Sequence, residues 1–474
     1  MRRILRLVIA LSVLAGLAAP AGLAAERMWI GFHDDPSFRW VVPAADRKAR
    51  VNAAAQANAT IMRLLVQWNL AAKTRPANPA DPFDPAYELD DVDEAVRAAQ
   101  DVDQEVILTI SGTPKWANGG KNPNVMPTNV ADFGSFARAI ASRYSGRFSG
   151  YPFVRFWSIW NEPNLQSFLS PQFNSSGRSV APANYAKLAA AAYSGIKAGS
   201  SQAQVAIGET SARGSDKATG VRPTHSPGKF AELVAKANPR LKFDAWSHHP
   251  YPSVPSLPPS QVVKWPNVSL ASLPRLEESL KTLFKRKSVP IWVTEYGHQT
   301  RPEDPLGVPY STQAAYIQQS ISIAASYPFV TMFIWFVFQD DQGQPWDSGV
   351  YTRGGAPKGT SPARFTASAR PLDAKNSVVL VKGGTLTPLV TLYTRRYCAT
   401  DPTGTPVGMT WRVFRGGRLT DVGQQSAPLR VDCSVAARIR VKGGVRKGQT
   451  YIATFALNDA SGVQLNRRLT IRGT

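Results

Sequence analysis

The chain has 474 residues, 43% of them hydrophobic, and a formal net charge of +22. That length is too great for one small domain and leaves room for a large core plus a second unit. The charge invites an anionic partner, but no DNA- or RNA-binding motif accompanies it, so nucleic acid is not expected.

In chain order, residues 1–25 read as a secretory signal peptide. Arg2, Arg3 and Arg6 precede an apolar stretch, Leu7 to Ala19, and Leu23-Ala24-Ala25 offers a small-residue cleavage site. The stretch is short for a membrane span and no later one is long enough. The mature protein is therefore expected to be secreted or held in the cell envelope, with no membrane span.

From Trp29 to about Pro371, apolar runs alternate with segments of helical period. The strand candidates are Met28–Phe32, Thr60–Gln67, Glu105–Ile110, Val154–Trp160, Gln204–Gly208, Phe243–Ser247, Pro290–Thr294 and Val330–Phe336. Helix candidates between them include Asp46–Asn58, Leu89–Gln100, Val130–Tyr144, Asn184–Ala198, Pro274–Lys285 and Thr312–Ser326. Thr128 or Asn129 would cap the third of these helices and Ser311 the last. Strand-helix repeated about eight times predicts an α/β fold, a (β/α)8 TIM barrel over 26–371. An open doubly wound sheet would want a glycine-rich turn after its first strand, and GFHDDPSF is not one.

After Pro371 the texture changes to short β-type runs, SVVLV, LVTLY, MTWRVF, ARIRV, YIATFAL and RRLTI, split by turn signals. A small all-β immunoglobulin-like sandwich is expected over 372–474. Its 16 Lys+Arg against 5 Asp+Glu concentrate the basic character there. An anionic polymer or envelope surface is a candidate partner, with simple solubility as the alternative. Cys398 and Cys433 are the only cysteines. In an exported chain they are expected to form one disulfide, free buried thiols being the alternative.

Barrel enzymes carry their reactive groups at the carboxyl ends of the strands. The fourth run, FWSIW, ends in Asn161-Glu162, and the seventh, PIWVTEYG, contains Glu295. Strands four and seven face each other across a barrel mouth. Two carboxylates over one pocket suit acetal hydrolysis, in which one must give a proton while the other supplies negative charge. The tryptophans beside Glu162 are expected to disfavour its ionised form, whereas Glu295 needs a cation or donor. Arg63 and Tyr251 are candidates for that support, and His33, at the mouth of the first strand, is a candidate sugar ligand or loop anchor. With five histidines and no third convergent ligand beside Glu295 and His298, neither a metal nor another cofactor is expected.

Asn-Glu-Pro after strand four and Thr-Glu-Tyr-Gly after strand seven resemble the retaining β/α-barrel glycosidases of clan A, which include families 5 and 39. The resemblance covers roughly residues 28–371, including the WDSGVYTRGGAPKGTSPARFTA stretch at 346–367. It implies that Glu162 is the general acid/base and Glu295 the nucleophile. It further implies that Asn161 binds the sugar 2-hydroxyl and that Trp335 floors the subsite of the reacting sugar. Arg63, His249 and Tyr251 match supporting positions, with the register between His248 and His249 open. The resulting expectation is a secreted retaining glycoside hydrolase acting on a β-linked carbohydrate. The rival is a non-catalytic carbohydrate-binding barrel, or an envelope adhesin with a basic β-domain.

Overall fold

Eight parallel strands close into a barrel in chain order: β1 Trp29–His33, β2 Ile61–Gln67, β3 Glu105–Ser111, β4 Phe156–Ile159, β5 Gln204–Ser211, β6 Ala245–His249, β7 Ile291–Tyr296 and β8 Val330–Phe336. Closure runs from Trp29 against Met332 to His33 against Phe336. The computed structural model describes residues 28–40, 43–102, 104–343, 346–369, 377–393, 403–430, 434–458 and 464–474. The signal-like residues 1–25, the 371/372 boundary, Cys398 and Cys433 lie outside the described residues.

Besides short helical turns, a longer helix follows each strand: α1 Ala44–Gln56, α2 Asp90–Asp101, α3 Val130–Arg143, α4 Ala181–Gly199, α5 Pro227–Ala237, α6 Leu273–Phe284, α7 Tyr310–Ser326 and α8 Ser361–Ser368. In α2, Asp90, Asp91 and Asp93 complement the positive end of the helix dipole, while Val92, Ala95, Val96 and Ala99 form the buried stripe. Asn129 caps α3 as expected, accepting from the Ala131 N–H at 3.1 Å. Ser311 does not cap α7, which begins earlier, behind Pro309. Helices α3 and α4 approach so closely that a Cβ on Gly195 would lie 2.1 Å from the Gly134 carbonyl oxygen. Strand interiors are near-continuously apolar because both faces are covered. At the amino end of the barrel, Trp29, Phe156 and Trp292 from β1, β4 and β7 meet at ring separations of 5.4 Å.

Among the described residues the C-terminal region is all-β, in two sheets. One contains Leu389–Tyr393 (β10) paired with Ser434–Arg438 (β13). The other has the order β12-β11-β14-β15-β9, with β9 Ser377–Val381, β11 Pro406–Arg415, β12 Arg418–Pro428, β14 Thr450–Asn458 and β15 Gln464–Gly473. Val407, Met409, Trp411 and Val413 alternate inward along β11. Strand β12 escaped the sequence reading because it is a sheet edge with almost no buried residue, so no apolar alternation marks it.

No helix among the described residues is long and apolar enough to cross a membrane.

Candidate active site

The aromatic run ahead of Glu162 builds barrel wall. The indole N–H of Trp157 donates to the Val154 carbonyl at 3.0 Å, that of Trp160 to the Phe168 carbonyl at 2.7 Å, and both rings lie in the main core. Past Ile159 the chain turns sharply. Trp160 and Glu162 take φ values of 71° and 40°, in the left-handed region that non-glycine residues avoid. This turn separates the indoles from the carboxylate. The expected tryptophan surround is therefore replaced by an imidazole: His249 Nδ1 stands 3.0 Å from Glu162 Oε1.

Glu295, at the end of β7, is approached by four groups. Arg63 Nη1 donates to Oε1 at 2.5 Å, and the Tyr251 hydroxyl donates to Oε2 at 3.0 Å. His249 Nδ1 lies 3.5 Å from Oε2 and His33 Nδ1 3.4 Å from Oε1. Burial alone would push this carboxyl up, but the positive charges of His249 and Arg63 outweigh it and hold it well below the usual range. Arg63 also donates through Nη2 to Asn161 Oδ1 at 3.0 Å. The group Asn161 has left to offer the cleft is its NH2.

Glu209 was missed by the sequence reading, and it is fully buried beneath this pair. Its Oε2 accepts from His249 Nε2 at 2.7 Å, Thr294 Oγ1 at 3.0 Å and Arg63 Nη2 at 3.1 Å. A local irregularity in β5 aims it inward. The β5–β6 register shifts between Ile207 and Thr210, where Gly208 and Glu209 have φ of 106° and 45°. Gly208 is required there, since a Cβ would sit 2.6 Å from the Trp246 indole. Burial raises the Glu209 pKa, yet Arg63 and His249 draw it down to about 2. Its sequence signal was positional only: a glutamate at a strand's carboxyl end, in GETS rather than Asn-Glu-Pro.

His249 thus bridges Glu162 and Glu209 beside Glu295. Burial would depress its pKa, but the three carboxylates together raise it to about 10. Both ring nitrogens then carry protons, which makes it a poor metal ligand although Glu162, His249 and Glu295 each present an atom within 4.8 Å of the others. His248 is buried against Thr210 and Val268, and burial lowers its pKa to about 3, so the register resolves to His249. His298 turns away to Tyr296 and the Pro255 carbonyl. His33 sits between Arg63 Nη1, 2.8 Å from its Nδ1, and Asp35 Oδ2, 3.0 Å from its Nε2. A guanidinium only donates, so that contact makes Nδ1 the acceptor and Nε2–H the donor to Asp35.

Trp335 does not floor the cleft. Its indole N–H donates to the Ser348 carbonyl at 2.9 Å, and its ring is buried among Tyr296 and His298. The next residue, Phe336, lines the cleft and packs on His33. Adjacent strand residues face opposite sides, so an error of one residue exchanges wall for pocket.

His33, Asn161, Glu162, Tyr251, Glu295 and Phe336 line a cleft of about 650 Å³. Exposed Trp40 stands on the β1 side and exposed Phe168 on the β4 side.

The profile for cellulase (glycosyl hydrolase family 5) matches residues 23–339. Solved structures share the fold at low identity. A family 39 glycoside hydrolase from the gut symbiont Bacteroides cellulosilyticus WH2 is 18% identical at a TM-score of 0.52, over 88% of this chain and 82% of that one. GH5_18 from Streptomyces cattleya is 14% identical at 0.51, over 75% and 85%. The GH39 enzyme from Xanthomonas axonopodis pv. citri is 14% identical at 0.50, over 94% and 92%. No curated protein matches the chain by sequence.

Proposed function

Since this chain belongs to the cellulase family, glycosyl hydrolase family 5, and is a glycoside hydrolase, we propose that it cleaves a β-linked glycan with retention of anomeric configuration, through Glu295 and Glu162. The observation that carries this is the unequal partnering of two convergent glutamates. Glu295 is held ionised by Arg63, His249 and Tyr251. Among the described residues, Glu162 is engaged at Oε1 alone, by His249, which leaves its Oε2 for the departing oxygen. One oxygen of each lies within 4.8 Å of the other. That proximity sides with the ~5–5.5 Å separation of retaining enzymes over the ~6.5–9.5 Å of inverting ones.

Glu295 attacks the anomeric carbon while Glu162 protonates the departing oxygen, giving a covalent glycosyl-enzyme. Glu162, then ionised beside the His249 imidazolium, takes a proton from the incoming water as the water oxygen bonds the anomeric carbon and the bond to Glu295 breaks, releasing the sugar and the free carboxylate. Asn161 presents its NH2 to the sugar, and Phe336 supplies the apolar floor. The deciding measurement is proton NMR of the first anomer released from a panel of aryl β-glycosides. A retained anomer is expected, and an inverted one would sink the mechanism. Export is supported by the composition of residues 1–25 alone. Contact of the C-terminal unit with anionic polymers is supported by its charge alone.

A further inference from the structure

Most charged groups around the cleft are paired. Arg39 is bound to Asp35 and Asp91, Arg63 to Glu209 and Glu295, and Lys358 to Asp340. Two are not. Arg213 and Arg222, both exposed, line the cleft and make no hydrogen bond or ion pair among the described residues. They belong to the loop between β5 and α5, and that loop is built rather than slack. Asp216 bonds both the backbone N–H and the hydroxyl of Ser226, at 2.8 and 2.7 Å, and the Ser215 N–H donates to Thr224 Oγ1 at 2.9 Å.

The loop is fastened to the segment that carries Glu162. Leu165 bridges Thr224, the Ser211 N–H donates to Asn164 Oδ1 at 2.8 Å, and the Glu162 N–H donates to the Glu209 carbonyl at 2.8 Å. Arg213 and Arg222 therefore stand on the acid/base wall of the cleft. The groups around Glu295, with Phe336 and Trp346, make the opposite wall. An acid that protonates the departing oxygen faces the departing sugar. This places the two free guanidinium groups, with exposed Phe168 as an apolar platform, on the leaving-group side.

We infer that Arg213 and Arg222 select a substrate whose leaving-side sugar is anionic, bearing a uronate carboxylate or a sulfate ester. This rests on the glycosidase reading above and names the substrate class of that same site. Guanidinium groups pair well with both anions because their N–H fork matches two oxygens at once. The +22 formal charge of the chain would concentrate such a polyanion near the protein.

The test uses the full chain and uronate-containing and sulfated glycans. Each is assayed beside its carboxyl-reduced or desulfated form, and activated aryl glycosides serve as the control. The wild type should favour the anionic member of one pair by about tenfold, equivalent to ~1.4 kcal/mol. Whether the uronate or the sulfate pair shows the preference identifies the anion. The preference should collapse in Arg213→Ala/Arg222→Ala, partly return in Arg213→Lys/Arg222→Lys, and shrink with added salt, since both groups are exposed. Turnover confined to neutral glycans, or a preference that survives in the alanine double variant, overturns the inference alone. Absence of turnover on every substrate, aryl glycosides included, would remove the glycosidase reading and this inference with it.

Discussion

Glu209→Gln deletes one charge from the buried network and little else. The amide oxygen can occupy the place of Oε2 and keep its three donors, so volume and hydrogen-bond count are nearly conserved. What is lost is the attraction to Arg63 and to the imidazolium of His249. A Glu209 pKa drawn from an ordinary 4.5 to about 2 corresponds to about 3 kcal/mol of stability. The folded value lies below the unfolded one, so this stability is full above pH 4.5 and lost as pH falls through about 2. His249 reads the same network from the other side. Its pKa is raised from 6.5 to about 10, so its share is full below pH 6.5 and lost as pH rises through about 10. The two figures describe one set of interactions and do not add. Urea unfolding of wild type and variant at pH 7 should differ by about 3 kcal/mol, and the gap should narrow towards pH 2. Nitrogen-15 NMR should show His249 titrating well below its wild-type midpoint. A gap under ~1 kcal/mol at pH 7, where an exposed pair would fall, or an unmoved His249 midpoint, would refute the reasoning.

Glu162→Ala should slow hydrolysis of substrates with poor leaving groups by roughly 10²–10⁴-fold yet spare glycosylation by activated aryl glycosides, measured as a pre-steady-state burst. Equal loss on both contradicts the acid assignment. Glu295→Gln should abolish steady turnover of both kinds of substrate, and measurable retention-type activity in that variant would contradict the nucleophile assignment. Trp335→Phe should cost about 1 kcal/mol through the lost hydrogen bond to Ser348 while leaving kcat/KM near wild type. Phe336→Ala should lower kcat/KM on saccharides, so the pair separates wall from floor. Lys358, fully buried against Asp340 and Thr300, should not tolerate Lys358→Met. The stranded Asp340 carboxylate should cost about 3–5 kcal/mol in thermal or urea unfolding.

Much of the barrel was legible because each strand is an apolar run of the right length between polar turns, and β8 was read to the residue, Val330–Phe336. Helix α5 was not, because Pro227-Gly228 reads as a turn although proline also suits a helix's first turn. The two principal glutamates were visible because they end strands that face each other. Glu209 obeys the same positional rule, but its inward aim depends on a bulge that no local pattern announces. Trp335 was misplaced because the resemblance asks for an aromatic residue at the end of strand eight without fixing which of two neighbouring aromatic residues points inward. The hydrogen bonds that give His249 its charge come from strands β4 and β5 together, and are invisible until those strands are assembled.

Trp160, Glu162 and Glu209 all hold left-handed backbone at neighbouring strand ends, and each such position costs of order 1–3 kcal/mol. That has a practical side for anyone breeding hardier variants of this protein. A library screened only for heat resistance would be rewarded for easing these corners, with glycine or asparagine accumulating at 160, 162 and 209. Survivors would be robust and inert, because the same bends carry two of the three carboxylates to His249. Selection should therefore score turnover at every round and draw its stabilising changes from the outer helices and loop surfaces instead.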